Sequence, residues 1–152
     1  RSGIVFRLFI SLCPMEPAPS SLPPEAQHLH TARITVRWGD MDAVGHVNNS
    51  RFFTYFEEAR VQWLKDTLDA PRGGRHGPVL AAASCDFQRP VHHPTTLRID
   101  VYAEPPGRTS LTTHYRARPV EAPSPVATGT AVLVWVEVET GAPVPLPNLG
   151  LD

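Results

Sequence analysis

A short polar segment in the first half of the chain carries residue types that can act on a carbonyl group. It contains Asp40 and Asp42, followed by Gly45, His46 and Asn48. The unperturbed pKa of an aspartate is about 3.9, so either carboxylate is ionised at neutral pH and could serve as a general base or a nucleophile. Gly45 can adopt a positive φ angle and therefore allows a sharp turn. The same residues also suit an ordinary turn before a helix, and residue types alone leave both interpretations open.

A long apolar helix of about 18 residues is predicted directly after this segment and would hold it in place. Apolar residues recur there at three- and four-residue steps, namely Phe52, Phe56, Ala59, Trp63, Leu64 and Leu68. Phe53 and Tyr55 widen this face, which favours burial on more than one side. Either Asn49 or Ser50 is predicted to cap the helix start. The free amides and the positive dipole end at that place could polarise a carbonyl oxygen.

Five β-strands are predicted around this helix. Alternating apolar and polar residues place them at 31–38, 79–87, 97–101, 110–116 and 127–138. In the first strand, Ile34, Val36 and Trp38 are expected to share one face. The last strand is apolar on both faces, which favours a central or interface position. The order of strand, long helix and four strands predicts an α+β fold in which an antiparallel sheet covers one helix.

Length and charge limit the classes of protein that fit. The 152 residues suggest one domain at 31–148, and the proline-rich residues 1–30 read as a disordered or extended tail. A net charge of -1 argues against bulk attraction to nucleic acid or to an anionic membrane. The apolar run at 4–12 is too short to span a bilayer and lacks a signal cleavage pattern. Cys13 and Cys85 are expected to be reduced thiols, so a cytoplasmic location is predicted.

Three segments resemble one known family in the same order along the chain. The first is D-M-D-A-V-G-H-V-N-N followed by F-x-x-Y-F-E-E-A-R, and the others are D-F-Q-R-P-V at 86–91 and V-x-V-E-x-E-T-G-x-P-V-P-L-P at 134–147. Together they resemble the 4-hydroxybenzoyl-CoA thioesterase family of hotdog-fold acyl-CoA thioesterases, over residues 33–147. The resemblance implies a hotdog fold, in which an antiparallel β-sheet wraps around one long central α-helix. It also implies hydrolysis of an acyl-CoA to the free acid and CoA, without a metal or redox cofactor.

The resemblance also assigns roles within the polar segment. It places the catalytic carboxylate on Asp42, as base or nucleophile, and leaves Asp40 with a structural role. Gly45 is expected to keep the backbone close to the substrate. His46 and Asn48 could orient the acyl group, the water or Asp42, or they could only hold the loop by local hydrogen bonds.

Contacts to CoA and to a second subunit are implied in the same way. Arg108 and Ser110 resemble the place at which the family contacts CoA, and Arg89 is a second cationic candidate because CoA carries phosphates. The family's active site lies between two subunits, so the resemblance implies a homodimer or homotetramer.

Several alternatives stay open at this point. Glu58 is a rival catalytic carboxylate, because some hotdog thioesterases use a glutamate on the central helix, whereas Glu57 could pair with Arg60 on the helix surface. His92 and His93 invite a metal site, but adjacent side chains on an extended chain point apart and no third ligand is suggested. A hotdog protein could also bind acyl-CoA or acyl carrier protein without hydrolysis, or act as a hydratase or dehydratase.

Overall fold

A five-stranded antiparallel sheet and one long helix make up the part of the chain that the structure describes. The structure is a computed structural model and describes residues 22–68 and 74–151. Its elements are β1 (Gln27–Thr35), a 3₁₀ helix (Trp38–Asp40), α1 (Asn49–Thr67), β2 (His76–Phe87), β3 (Thr96–Ala103), β4 (Ser110–Pro119) and β5 (Ala127–Glu137). The predicted α+β fold and the order of strand, helix and four strands are confirmed. Most of the predicted tail, with Cys13, lies outside the described residues.

The strands are arranged in the order β1-β3-β4-β5-β2, and each neighbouring pair is antiparallel. The last strand was predicted to hold a central or interface position, and β5 is an interior strand, between β4 and the edge strand β2. β2 forms one edge of the sheet and leaves apolar side chains exposed there, including Val79 and Leu80. Within the two described ranges, no helix is long and apolar enough to cross a membrane.

The core lies between α1 and the inner face of the sheet. α1 buries Phe52, Tyr55, Phe56, Ala59 and Trp63, as the helical periodicity predicts, while Phe53 is 41% exposed. Phe56 stacks on Tyr115 of β4 with ring centroids 4.8 Å apart and planes at 17°. Gly129 of β5 permits this packing, because a Cβ atom at that position would overlap the Phe56 ring. The helix is therefore fixed against the middle of the sheet.

Two local predictions are wrong. Trp38 is 80% exposed instead of sharing the buried face of Ile34 and Val36. The reason is that β1 ends at Thr35, after which the chain turns into the 3₁₀ helix and loses the strand alternation. The cap of α1 is Asn48 instead of Asn49 or Ser50, since the Asn48 side chain accepts a hydrogen bond from the Ser50 amide.

Candidate active site

The loop before α1 is anchored by a buried carboxylate. Asp40 is 1% exposed, and its Oδ2 accepts hydrogen bonds from the Arg37 amide at 2.9 Å and from the Tyr55 hydroxyl at 2.8 Å. Its backbone oxygen accepts from the Asn48 amide at 2.9 Å. Burial opposes ionisation of Asp40, but the hydrogen bonds from Arg37 and Tyr55 outweigh it and hold the pKa of the carboxyl below its ordinary value. Asp40 therefore ties the two ends of the loop to the helix, which is the structural role expected for it.

Asp42 occupies the turn that Asp40 anchors. The Asp42 side chain is half-buried, and its Oδ1 accepts from the Val44 amide at 2.9 Å and from the His46 amide at 3.3 Å. The turn is closed by the Gly45 amide, which donates to the Asp42 carbonyl at 3.1 Å. Gly45 has the predicted positive φ, at 87°. One carboxylate oxygen is thus fixed by backbone amides, while the described residues supply no hydrogen-bond partner to the other.

A pair of histidines lies against this turn. The His92 Nδ1–H donates to the Gly45 carbonyl at 2.9 Å. The rings of His46 and His92 meet edge to face, with centroids 4.8 Å apart. The sequence offered His92 only as a metal candidate, and its contact partner Gly45 lies 47 positions earlier in the chain. No group of three His, Cys, Asp or Glu side chains within the described ranges could hold a metal ion.

The start of α1 completes this end of the molecule. Asn48 Oδ1 accepts from the Ser50 amide at 2.9 Å and the Ser50 hydroxyl at 2.7 Å, so Asn48 holds the helix start by local hydrogen bonds. The Arg51 amide donates to the Asn48 carbonyl at 2.9 Å. The described residues supply no acceptor to the Asn49 amide in the first turn of α1. It is available to a bound oxygen atom, as helix N-termini commonly are.

Arg108 and Ser110 do not approach Asp42 within one chain. The Asp42 loop lies at the sheet end where β3 begins, because the Val47 amide donates to the Val91 carbonyl at 2.8 Å. Ser110 begins β4 at the opposite end and pairs with Val134. β4 is ten residues long, and a strand rises about 3.3 Å per residue, so the two sheet ends are about 30 Å apart.

The structure also shows where the other charged candidate residues lie. Arg89 is exposed and donates to the Pro125 carbonyl at 3.0 Å. Glu57 and Glu58 are exposed on α1. The expected pair of Glu57 with Arg60 is wrong, because Arg60 turns inward and its Nη1 donates to the Tyr115 hydroxyl at 3.0 Å.

Two concavities flank these elements. A cavity of about 150 Å³ lies between α1 and the strands β2, β4 and β5, and its lining includes Phe53, Glu57, Arg60 and Leu80. A larger and more open groove of about 460 Å³ includes Arg33 and Glu121 in its lining. The larger groove contains no residue of the Asp42 loop and none of α1. The smaller cavity follows α1 from its second turn, so it is the better continuation of a site at the helix start.

Comparisons with known proteins place the chain in a family. The family model of the thioesterase-like superfamily matches residues 36–149. The uncharacterised protein YsmA of Bacillus subtilis is 36% identical over 112 residues, which span 74% of this chain and 76% of YsmA.

Solved structures agree with this match. The PA2801 protein of Pseudomonas aeruginosa, a candidate thioesterase, is 41% identical with a TM-score of 0.77, and the likeness covers 80% of this chain and 95% of that one. A thioesterase from Thermus thermophilus, solved in complex with coenzyme A and Zn, is 32% identical with a TM-score of 0.68, covering 80% of this chain and 88% of its own. The chain therefore belongs to the thioesterase-like superfamily, which confirms the predicted hotdog fold and the predicted enzyme class of thioester hydrolase.

Proposed function

We propose that the protein hydrolyses acyl-CoA thioesters to a free acid and CoA, with Asp42 as the base or nucleophile. One observation carries this assignment. The half-buried Asp42 carboxylate is held at one oxygen by two amides, directly before the N-terminus of the central helix, and its other oxygen has no partner among the described residues. The complex of the Thermus thermophilus thioesterase with coenzyme A supports CoA as the carrier.

The proposed reaction needs only groups of this chain and water. With Asp42 as base, its free oxygen takes a proton from a water molecule while the water oxygen bonds to the thioester carbon. The C–S bond then breaks, and the thiolate of CoA leaves and takes up a proton. With Asp42 as nucleophile, a carboxylate oxygen bonds to the thioester carbon, the C–S bond breaks and the thiolate of CoA leaves and takes up a proton. Water then hydrolyses the resulting anhydride to the free acid and the Asp42 carboxylate. In both routes the proposed donor to the oxygen that becomes negatively charged is the Asn49 amide.

A homodimer through β2 supports the proposed contacts to CoA. β2 is an edge strand with exposed Val79 and Leu80, and such an edge can pair with another strand. Antiparallel pairing of two β2 strands about a twofold axis would join the sheets of two subunits. It would set the sheet end that carries Arg108 and Ser110 of the partner subunit beside the Asp42 end of the first. Arg108 and Ser110 are therefore proposed to act across the dimer interface, and a tetramer would join two such dimers.

The proposal also includes a branch of the superfamily and a cellular location. The loop D-M-D-A-V-G-H-V-N-N supports membership in the 4-hydroxybenzoyl-CoA thioesterase branch of the superfamily. A cytoplasmic location is supported by Cys85, which is half-buried and carries a free thiol.

Thiol release from a panel of short, long and aromatic acyl-CoAs tests the proposed activity. We expect free CoA thiol to appear with at least one class of substrate. A non-hydrolytic binding module would give no thiol, although acyl-CoA would still raise its melting temperature. A hydratase would add water to an enoyl-CoA and leave the thioester intact. Either of these two results from folded protein would refute the thioesterase proposal.

A further inference from the structure

Arg60 is a largely buried cation that no carboxylate of the described residues neutralises. Arg60 is 8% exposed, and among the described residues its hydrogen-bond partner is the Tyr115 hydroxyl, to which Nη1 donates at 3.0 Å. No carboxylate at 22–68 or 74–151 forms an ion pair with it. A guanidinium has five N–H donors, and no buried side-chain nitrogen among the described residues lacks a partner, so the Arg60 N–H groups that Tyr115 does not bind reach solvent. These N–H groups are therefore available to an anionic group that enters from solvent.

A chain of hydroxyl groups fixes the direction of the guanidinium. Thr113 Oγ1 donates to the Ala131 carbonyl at 3.2 Å and lies 2.7 Å from the Tyr115 hydroxyl. Since the Thr113 proton is used on Ala131, the Tyr115 hydroxyl donates to Thr113 and accepts from Arg60. Thr113 is fully buried and Tyr115 is 2% exposed, so this chain is rigid and holds Arg60 in one orientation.

Arg60 forms part of the lining of the 150 Å³ cavity beside α1. Phe53, Leu80 and Ala83 supply apolar wall, and Glu57 is the carboxylate among the described lining residues. At about 30 Å³ per water-sized group, the cavity has room for about five such groups. Apolar walls that lead to a fixed cation suit a short hydrocarbon chain with an anionic end.

The position of Arg60 along the helix agrees with a short acyl chain. Arg60 follows Asn49 by eleven residues, which is about 16 Å at about 1.5 Å per residue. Helical side chains lean toward the helix N-terminus, so the guanidinium lies closer to Asn49 than its Cα atom does. An acyl group whose thioester carbonyl is held at Asn49 can thus extend along α1 toward Arg60.

We propose that Arg60 determines substrate specificity by binding a carboxylate at the far end of a short acyl chain. The preferred substrates are then CoA thioesters of dicarboxylic acids with about five carbons. This inference rests on the proposed function and names the substrate class of the same site. Glu57 lies beside the acyl path and repels a carboxylate there, so it sets the strength of the preference.

Two thioesters of equal length test the proposal, namely glutaryl-CoA and pentanoyl-CoA. Hydrogen bonds to charged groups predict a wild-type preference in kcat/KM of about 10- to 100-fold for glutaryl-CoA. Arg60→Met should reduce this ratio to about one or below, whereas Arg60→Lys, which keeps the cation, should retain part of it. Glu57→Gln changes an exposed residue and should increase the ratio. A wild type that prefers pentanoyl-CoA, or a ratio that Arg60→Met and Glu57→Gln leave unchanged, would overturn the proposal.

A binding measurement separates this inference from the proposed activity. Calorimetry with Asp42→Asn protein should show tighter binding of glutaryl-CoA than of pentanoyl-CoA, and the added Arg60→Met change should abolish the difference. This result supports the role of Arg60 even if no acyl-CoA is hydrolysed, in which case only the proposed function fails. Equal binding of the two thioesters by the Asp42→Asn protein contradicts the role of Arg60, whatever the turnover.

Discussion

Replacement of Asp40 by alanine should strongly destabilise the protein. The change removes the acceptor of the Arg37 amide and of the Tyr55 hydroxyl, and Tyr55 is 2% exposed. Each hydrogen bond to a charged group contributes about 1.5–3 kcal/mol, so the two together contribute about 3–6 kcal/mol. The contact of Arg37 Nη2 with Asp40 at 3.1 Å adds little, because the Arg37 side chain is 71% exposed.

Urea unfolding followed by tryptophan fluorescence measures this loss. A decrease of about 3–6 kcal/mol corresponds to a fall in Tm of about 6–24 °C for a chain of this size. Asp66→Ala is the matched control, because the Asp66 side chain is 72% exposed and lies 3.8 Å from His30. It should change the free energy of unfolding by less than about 0.5 kcal/mol. A loss below about 1 kcal/mol in Asp40→Ala would refute the anchoring role of Asp40.

The contribution of Asp40 to the free energy of unfolding should decrease as the pH is lowered. The pKa of Asp40 is lowered in the folded state, so the folded protein binds fewer protons at this group than the unfolded chain does. Its stabilising effect is therefore fully present above the unfolded pKa of about 3.9 and disappears as the pH falls through the folded value. The stability difference between wild type and Asp40→Asn should shrink below about pH 4. A difference that grows in acid would contradict this sign.

Two further changes test the loop and the subunit interface. His92→Ala removes the hydrogen bond to the Gly45 carbonyl. Because the Asp42 turn would then be misplaced, kcat should fall by about 10- to 100-fold, while the unfolding transition stays close to that of wild type. An unchanged kcat would show that the turn keeps its position without His92. Leu80→Lys adds charge to the exposed β2 edge and should give a monomer in light scattering if the proposed dimer forms through β2, since lysine on an edge strand opposes pairing. Val61→Lys, at a 38% exposed position on α1, should leave the proposed dimer intact. A dimeric Leu80→Lys protein would exclude β2 as the interface.

The helix and the order of elements follow from the sequence because they depend on local periodicity. The three- and four-residue steps from Phe52 to Trp63 predict one buried face of a helix, and those residues are buried in the structure. Trp38 was misplaced because the alternation of β1 continues in the sequence past Thr35, where pairing with β3 ends. The helix cap was misplaced because Asn48, Asn49 and Ser50 are all good caps, so local sequence does not distinguish them.

The site was less accessible to sequence reasoning because its contacts cross the fold. The i+3 spacing favours a surface pair of Glu57 and Arg60, but Tyr115, 55 residues away, draws Arg60 inward. The contact of His92 with Gly45 is equally remote in sequence. Arg108 lies at the sheet end opposite Asp42, so its predicted role requires a second subunit, which a single chain does not reveal.

The comparison of kcat/KM for wild type and Asp42→Asn on the best acyl-CoA substrate tests the central proposal most directly. Asparagine keeps an Oδ1 acceptor for the Val44 and His46 amides, so the turn should persist while the base or nucleophile is lost. Thiol release should fall by about 10²- to 10⁴-fold, the range for loss of a positioned acid–base group, with the unfolding transition preserved. Near-normal thiol release by Asp42→Asn would contradict the catalytic role of Asp42 and favour Glu58.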